Sequence, residues 1–246
     1  MPAAIILETV QGEGGVNVAS VAWLQAIAKI CQDFNILLIV DDIQAGCGRT
    51  GEFFSFERAG IKPDIVTLSK SLSGLGLPMA LVLIKPEYDI WKPAQHNGTF
   101  RGNNLAFVTA TTALNIFWRD QKFTDSIAGK AAIVKAQLDE LVAEFPDQLS
   151  TRGLGLMQGL VFQDPANSDA VTCAAFAQGL IIEGCGAYDE VLKILPPLTI
   201  EVAQLKQGLQ LLAKLTRKIL ADAEIKTILT ESSEHSVSDS RQAVGV

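Results

Sequence analysis

Four short apolar runs, separated by polar or helix-like segments, dominate the first 118 residues; they are 3–7, 36–40, 65–69 and 80–84. Each run is apolar at both odd and even positions, which is typical of parallel strands covered by helices on both faces. Between the first two runs, one helical face is marked by Val21, Leu24, Ala28 and Cys31. This is the pattern of β-α-β units, so we expect an α/β fold with a mainly parallel sheet.

A different pattern begins near residue 120 and predicts a smaller domain. The apolar face of a long helix ends before Pro146, with members Ile127, Ala131, Val134, Leu138, Leu141 and Phe145. Further on, segments 154–162, 180–183 and 191–195 have strand-like composition, and 202–220 has helical periodicity. We therefore expect an α/β domain over 1–118, an α+β domain over 119–221, and a disordered, Ser- and Glu-rich tail over 222–246.

Composition excludes several classes of partner. The chain has 20 Lys and Arg against 27 Asp and Glu, a net charge of −7, so it lacks the cationic surplus that binds nucleic acid by counterion release. No apolar run approaches the roughly 20 residues that span a bilayer, so we expect no membrane insertion. The four cysteines form no C-x-x-C pair and there are two histidines, which favours reduced thiols, a cytoplasmic location and no metal site.

Polar residues follow the predicted strands at the edge where parallel sheets bind ligands. Glu8 opens a glycine-rich turn that also contains Glu13. Asp41 and Asp42 follow the second strand, where a buried carboxylate needs compensation by a cationic partner or a role as helix cap. Lys70 ends the third strand; partial burial there would favour a neutral, nucleophilic amine, and an ordinary snorkelling lysine is the alternative.

Residues 46–51 read GCGRTG, which matches the G-x-G-x-x-G pattern of dinucleotide-binding turns. In that role the glycines precede a helix whose N-terminus binds a pyrophosphate, and an acidic residue ends a later strand. Here the following segment EFFSF begins no evident helix, and no acidic residue occupies the expected place. We therefore do not favour a nicotinamide-binding Rossmann fold.

Three motifs together resemble the class III, or ω-amino acid, aminotransferases, which depend on pyridoxal 5′-phosphate (PLP). They are DDIQAGCGRTG (41–51), PDIVTLSK (63–70) and GTFRGN (98–103), in the order and spacing of that family. The resemblance runs from residue 3 to about residue 220. It implies a fold-type I PLP transferase, with the C-terminal half of the large, mainly parallel-sheet domain followed by the small α+β domain.

Segments 68–74, 77–83 and 96–111 further resemble the diaminobutyrate-forming branch of this family. That likeness implies transfer of the amino group of L-glutamate to L-aspartate 4-semialdehyde, which gives L-2,4-diaminobutyrate and 2-oxoglutarate in ectoine biosynthesis. Two other interpretations stay open. The chain could be another class III ω-aminotransferase or aminomutase, or a non-catalytic fragment that acts in subunit association.

The resemblance also assigns roles to single residues. Lys70 would attach PLP covalently and shuttle the substrate proton, and Asp41 would pair with the pyridinium nitrogen and so keep the ring an electron acceptor. Gln44 would hydrogen-bond the cofactor's O3′. Thr99 would reach the phosphate of the cofactor in a neighbouring subunit, which implies a homodimer or a larger oligomer.

Glu13 matches the family carboxylate that gates the substrate pocket by pairing with the arginine of an R-x-x-P-P-L segment. Here that segment is KILPPL (193–198), with Lys193 in place of the arginine. Lysine is a point charge without the bidentate fork of arginine, so the sequence allows either a structural or a gating salt bridge. Family members also carry a longer N-terminal portion, with a phosphate-binding loop that is not identifiable ahead of Lys70, so we expect a truncated chain.

Overall fold

The computed structural model describes the backbone of residues 1–242 and the side chains of residues 1–223 and 225. Its first sheet has four strands in the order β1 (Ala4–Leu7), β2 (Leu37–Asp41), β3 (Ile65–Leu68) and β4 (Leu81–Ile84). Strands β1, β2 and β3 are parallel, and helix α1 (Val21–Asp33) makes the crossover between β1 and β2. The predicted α/β fold with a mainly parallel sheet is confirmed.

Strand β4 departs from the predicted pattern because it pairs with β3 in the antiparallel direction, with Val66 opposite Leu83. The segment between the two strands contains a short 3₁₀ turn, Lys70–Ser73, and no α-helix. A parallel crossover normally needs such a helix, so the chain returns in the opposite direction instead. After β4 comes helix α2 (Asn104–Phe117), which begins where the side chain of Asn103 accepts hydrogen bonds from the amides of Leu105 and Ala106.

The second sheet is antiparallel, with the order β5 (Leu149–Leu154), β6 (Met157–Phe162), β8 (Val191–Ile194) and β7 (Glu183–Cys185). Helices α3 (Lys122–Glu144), α4 (Pro165–Ala177) and α5 (Val202–Gln242) accompany it. The single strand predicted over 154–162 is wrong, because a turn at Gly155 separates β5 from β6. The strand predicted over 180–183 begins at Glu183, and α4 was missed although Asp164 and Pro165 are typical N-cap and N1 residues.

The predicted apolar faces of α3 and α5 form the core of this second half. Ile127, Val134, Leu138 and Leu141 of α3 are buried against the apolar face of α5 and the sheet. The α5 face includes Leu205, Leu209, Leu212 and Leu215. Helix α3 ends at Glu144, as the proline at position 146 predicts.

Helix α5 continues beyond the predicted end at residue 220, and its backbone is helical to Gln242. The predicted tail over 222–246 therefore overlaps this helix, and residues 243–246 lie outside the described residues. The boundary predicted at residues 118 and 119 falls between α2 and α3. None of the helices in the described part of the chain is both long and apolar enough to cross a membrane.

The β5–β6 turn packs directly on the backbone of the GCGRTG segment. Leu156 N donates to Arg49 O at 2.9 Å, and Gly155 has φ 57°, in the left-handed region. A Cβ added to Gly155 would lie 2.5 Å from the carbonyl carbon of Thr50 and 2.6 Å from Arg49 O. The β5–β6 turn can approach the GCGRTG backbone this closely because residue 155 has no side chain.

Replacing Gly155 by alanine should therefore destabilise the protein through both backbone strain and this clash. We expect Gly155→Ala to lower the free energy of unfolding by about 2 kcal/mol or more, measured by urea denaturation. Gly179→Ala is the matched control, because Gly179 has φ 80° and nothing lies within 4 Å of its added Cβ. Equal losses in the two variants would contradict the close backbone contact.

Asp42 lies in a buried polar cluster beneath the strand ends and is 1% exposed. It accepts hydrogen bonds from Ser55 N at 3.0 Å and from Ser55 Oγ, which in turn accepts from Thr9 Oγ1 at 2.5 Å. These neutral donors replace both the cationic partner and the helix-cap role that the sequence suggests. Because burial is not offset by a positive charge, the pKa of Asp42 is raised to about 6.

A raised carboxyl pKa means that the folded state binds more protons than the unfolded state between about pH 4 and pH 6. The stabilising contribution of Asp42 is greatest at low pH and is lost as the pH rises through about 6. We expect the unfolding free energy of the protein, minus that of Asp42→Asn, to fall by about 2 kcal/mol from pH 4 to pH 7. The control is Asp169→Asn, at an exposed position. The unfolding free energy of the protein minus that of this variant should not change between pH 4 and pH 7. A difference for Asp42→Asn that also stays constant would contradict the raised pKa of Asp42.

Candidate active site

Asp41 and Lys70 lie at the same edge of the first sheet. Asp41 is the last residue of β2, and the parallel register places it opposite Thr67 of β3, three residues before Lys70. The Oδ1 atom of Asp41 accepts from Ile43 N at 3.0 Å, which leaves Oδ2 outside this hydrogen bond. Adjacent parallel strands therefore bring Asp41 and Lys70 to the same C-terminal edge of the sheet.

Lys70 occupies a strained turn directly after β3. Its φ is 50°, a left-handed value that is uncommon for a residue with a Cβ, and such strain is often concentrated at functional sites. The preceding residue is held by a hydrogen bond from Ser69 Oγ to Met79 O at 2.6 Å. Lys70 is exposed, so the expected partial burial of its amine is wrong for this structure.

Lys70 lines a cavity of about 580 Å³ between the two halves of the chain. Arg49 and Phe53 contribute from the first half, Trp118 follows α2, and Pro197 contributes from the second half. Its size and its mixture of aromatic and cationic side chains are typical of a small-molecule site.

Arg49, in the GCGRTG segment, connects the two halves beside this cavity. Its buried Nη1 donates to Leu156 O at 3.1 Å and to Pro196 O at 2.5 Å, and desolvation lowers its pKa to about 10. The segment is a turn with left-handed φ values at Cys47, Gly48 and Gly51, followed by the short 3₁₀ helix Glu57–Ala59. It therefore lacks the helix start that a dinucleotide-binding turn requires.

The structure brings Glu13, Gln44 and Lys193 together. Glu13 Oε1 accepts from Lys193 Nζ at 2.7 Å and from Gln44 Nε2 at 2.9 Å. These hydrogen bonds, first that of Gln44 and then that of Lys193, lower the pKa of Glu13, and the charges of Lys193 and Lys70 act in the same direction. The Glu13 side chain is 73% exposed, whereas that of Lys193 is fully buried.

Lys193 has a second acidic neighbour that the sequence did not predict. Its Nζ lies 3.0 Å from Glu183 Oε1, on strand β7, directly across from Lys193 on β8. Burial lowers the pKa of Lys193, but the hydrogen bonds to Glu13 and Glu183 outweigh it, and the pKa is raised. The ion pair between Glu183 and Lys193 could not be predicted from the sequence, because it depends on the β7–β8 register and the strand predicted over 180–183 was misplaced.

The glycine-rich turn after β1 approaches Gln44 closely. A Cβ on Gly12 would lie 1.8 Å from Gln44 Oε1, and Gly12 N donates to Glu8 Oε2 at 2.9 Å. Gln44 Oε1 is buried and has no hydrogen-bond partner within residues 1–223. The turn that the sequence indicated as a binding loop therefore contributes Glu13 and the close packing around Gln44.

Thr99 is not brought to these residues. It lies exposed in the segment between β4 and α2. Among the proposed site residues, only Lys70 lines the cavity; Thr99, Asp41, Gln44, Glu13 and Lys193 do not. Across the described part of the chain, no group of three or more His, Cys, Asp or Glu residues is placed to hold a metal ion.

Comparison with known proteins assigns a family. The sequence profile of "Aminotransferase class-III" matches residues 2–216. A diaminobutyrate--2-oxoglutarate transaminase from Virgibacillus pantothenticus is 59% identical over 213 residues, which cover 86% of this chain and 51% of that protein. One from Nocardia farcinica is 59% identical over 211 residues, covering 86% and 48%. The chain thus spans about half the length of these relatives.

Solved structures agree with the sequence comparison. The ornithine aminotransferase of Toxoplasma gondii superposes with a TM-score of 0.82 at 30% identity, covering 89% of this chain and 52% of that one. The acetylornithine aminotransferase of Elizabethkingia anophelis gives 0.78 at 31% identity, covering 88% and 54%. Fold, motifs and family profile coincide over the same residues, and the chain belongs to the class III aminotransferases.

Proposed function

We propose that this chain serves a PLP-dependent transamination that moves the amino group of L-glutamate to L-aspartate 4-semialdehyde, giving 2-oxoglutarate and L-2,4-diaminobutyrate. The observation that carries the proposal is the parallel register of β2 and β3, which pairs Asp41 with Thr67, three residues before Lys70. The choice of substrates is supported by the relatives at 59% identity that are named for this reaction.

The residues present fit PLP at its ring. Lys70 supplies an exposed primary amine for covalent attachment, at the same edge of the sheet as Asp41. Asp41 supplies a carboxylate with one oxygen outside its local hydrogen bond, suited to an N–H of the ring. When bound, PLP supplies an electron-accepting ring for the electrons released as a proton leaves the substrate.

The protein's own contribution is to hold and move protons at defined atoms. Asp41 would keep a proton on the ring nitrogen, because a neighbouring carboxylate favours the cationic form. Lys70 Nζ would act as a general base that takes the proton from the substrate carbon, and then as a general acid that delivers it to C4′ of the cofactor. Gln44 serves as an amide donor to the ring hydroxyl.

Glu13 and Lys193 are proposed to select substrates. In the structure Glu13 neutralises the ammonium of Lys193. With Glu13 turned into solvent, that ammonium would be available to bind a substrate carboxylate. Glutamate and 2-oxoglutarate carry the second carboxylate that this state requires, and diaminobutyrate carries an amine in its place.

We further propose a homodimer or larger oligomer in the cytoplasm. The role proposed for Thr99, contact with the phosphate of a neighbouring subunit's cofactor, agrees with its exposure. Scattered, unpaired cysteines agree with a reducing compartment. Residues 1–118 would then belong to the large PLP-binding domain and 119–221 to the small one.

Borohydride reduction in the presence of PLP should label Lys70. We expect peptide mapping by mass spectrometry to place the pyridoxyl group on the peptide that contains Lys70, because its amine faces the cavity. Lys70→Met should abolish this label, whereas Lys85→Met, at a lysine paired with Asp64, should leave it unchanged. Dominant labelling of another lysine, or no label at saturating PLP, would argue instead for the non-catalytic interpretation.

Lys193→Met should discriminate between the two kinds of substrate. Loss of a charge-assisted hydrogen bond to the carboxylate is worth about 1.5–3 kcal/mol, so we expect the KM for 2-oxoglutarate to rise by roughly 10- to 100-fold. The KM for diaminobutyrate should change little. Both KM values can be measured from initial rates of the PLP-loaded protein, with diaminobutyrate, ornithine and 4-aminobutyrate as amino donors. The control is Lys135→Met, on the exposed face of α3. Equal increases for both substrates would contradict the selection role.

A further inference from the structure

Lys193 is an ammonium group without solvent contact that has two solvent-exposed carboxylates as neighbours. Its side chain is 0% exposed, whereas those of Glu13 and Glu183 are 73% and 64% exposed. The two Nζ to Oε1 distances are 2.7 Å and 3.0 Å. A lysine has three N–H donors, so both carboxylates can be bonded at once.

The two carboxylates are held in different ways. Glu183 lies on β7, and the antiparallel ladder places it directly opposite Lys193, so its distance from the ammonium is set by the sheet. Glu13 lies on the turn between β1 and α1 and reaches Lys193 from outside the sheet. Its backbone is held by Gly186 N, which donates to Glu13 O at 3.0 Å. Its carboxylate is 73% exposed and can turn into solvent by breaking its hydrogen bonds with Lys193 and Gln44.

This difference matters because a buried charge that loses its partner is strongly destabilising. If Glu13 were the sole counter-ion, its rotation away from Lys193 would leave an uncompensated ammonium in the protein interior. With Glu183 in place, the ammonium keeps one carboxylate while a second N–H becomes available to a ligand. Exchange of one carboxylate for another then leaves the net charge around Lys193 unchanged.

We propose that Glu183 is a positioning residue, the permanent counter-ion of Lys193, which allows Glu13 to exchange with a carboxylate of a dicarboxylic amino or keto acid. Glu183 acts through Lys193 and does not touch the substrate. The exchange rests on the proposed function, whereas the counter-ion role of Glu183 is a property of the chain itself and is tested without cofactor or turnover.

A double-mutant cycle on the full chain tests the shared role of the two acids. Glu13→Gln and Glu183→Gln should each lower the thermal midpoint slightly, because one counter-ion remains in each variant. The double variant should lose at least about 5 °C more than the sum of the single losses, since it buries an unpaired ammonium. The control cycle combines Glu13→Gln with Glu190→Gln, whose carboxylate accepts from Tyr188 N, and its losses should be additive.

Removing the ammonium keeps the test decisive if the double variant does not fold. The triple variant Glu13→Gln, Glu183→Gln, Lys193→Met contains no buried charge at this site and should recover most of the lost midpoint. Additive losses in the first cycle, or a triple variant that is as unstable as the double variant, would overturn the counter-ion role of Glu183.

The exchange itself can be followed with sodium glutarate as a dicarboxylate probe, against sodium chloride at equal ionic strength. Glutarate should raise the thermal midpoint of Glu13→Gln by several degrees more than that of the unmodified chain, because the competing carboxylate is gone. Adding Lys193→Met should abolish this increase. The same increase with and without Lys193 would refute the exchange while leaving the transaminase proposal to be judged by the Lys70 label.

Discussion

The parallel register between β2 and β3 is the constraint on which the site depends. It aligns Asp41 with Thr67, so the ends of the two strands present a carboxylate and, three residues later, an amine at one edge of the sheet. Neither side chain needs a long loop to reach that edge, because β2 ends at Asp41 and Lys70 follows β3 after one residue. The left-handed φ of Lys70 then turns the chain sharply, at the residue proposed to bind PLP.

A second set of contacts places the small sheet against this edge. The Gly155 turn meets the GCGRTG backbone, and the buried guanidinium of Arg49 bonds the carbonyls of Leu156 and Pro196. Pro196 lies three residues after Lys193, so the same arginine fixes the end of the strand segment that carries the ammonium. Glu13, from the turn after β1, adds a further contact because it bonds both Gln44 and Lys193. Substrate selection by Lys193 and chemistry at Lys70 would therefore be coupled through one rigid interface.

Much of this arrangement could be predicted from local sequence. Apolar runs located β1 to β4, helical periodicity located α1 and α3, and the motifs around Asp41 and Lys70 identified the family. The features that local patterns could not predict depend on pairing between strands distant in the chain. The antiparallel direction of β4 follows from a missing crossover helix, and the contact between Glu183 and Lys193 follows from the β7–β8 register. The exposure of Lys70 and the neutral partners of Asp42 likewise depend on neighbours distant in the chain.

Asp41 and Lys70 are proposed to act on the same heteroaromatic ring. The most direct measurement is the ¹⁵N NMR shift of the ring nitrogen of isotope-labelled PLP bound to the chain. We predict a protonated ring nitrogen in the unmodified protein, loss of that proton in Asp41→Asn, and no change in Asp42→Asn, whose carboxylate is buried with Ser55. A ring nitrogen whose shift is the same in the unmodified protein and in Asp41→Asn would contradict the account.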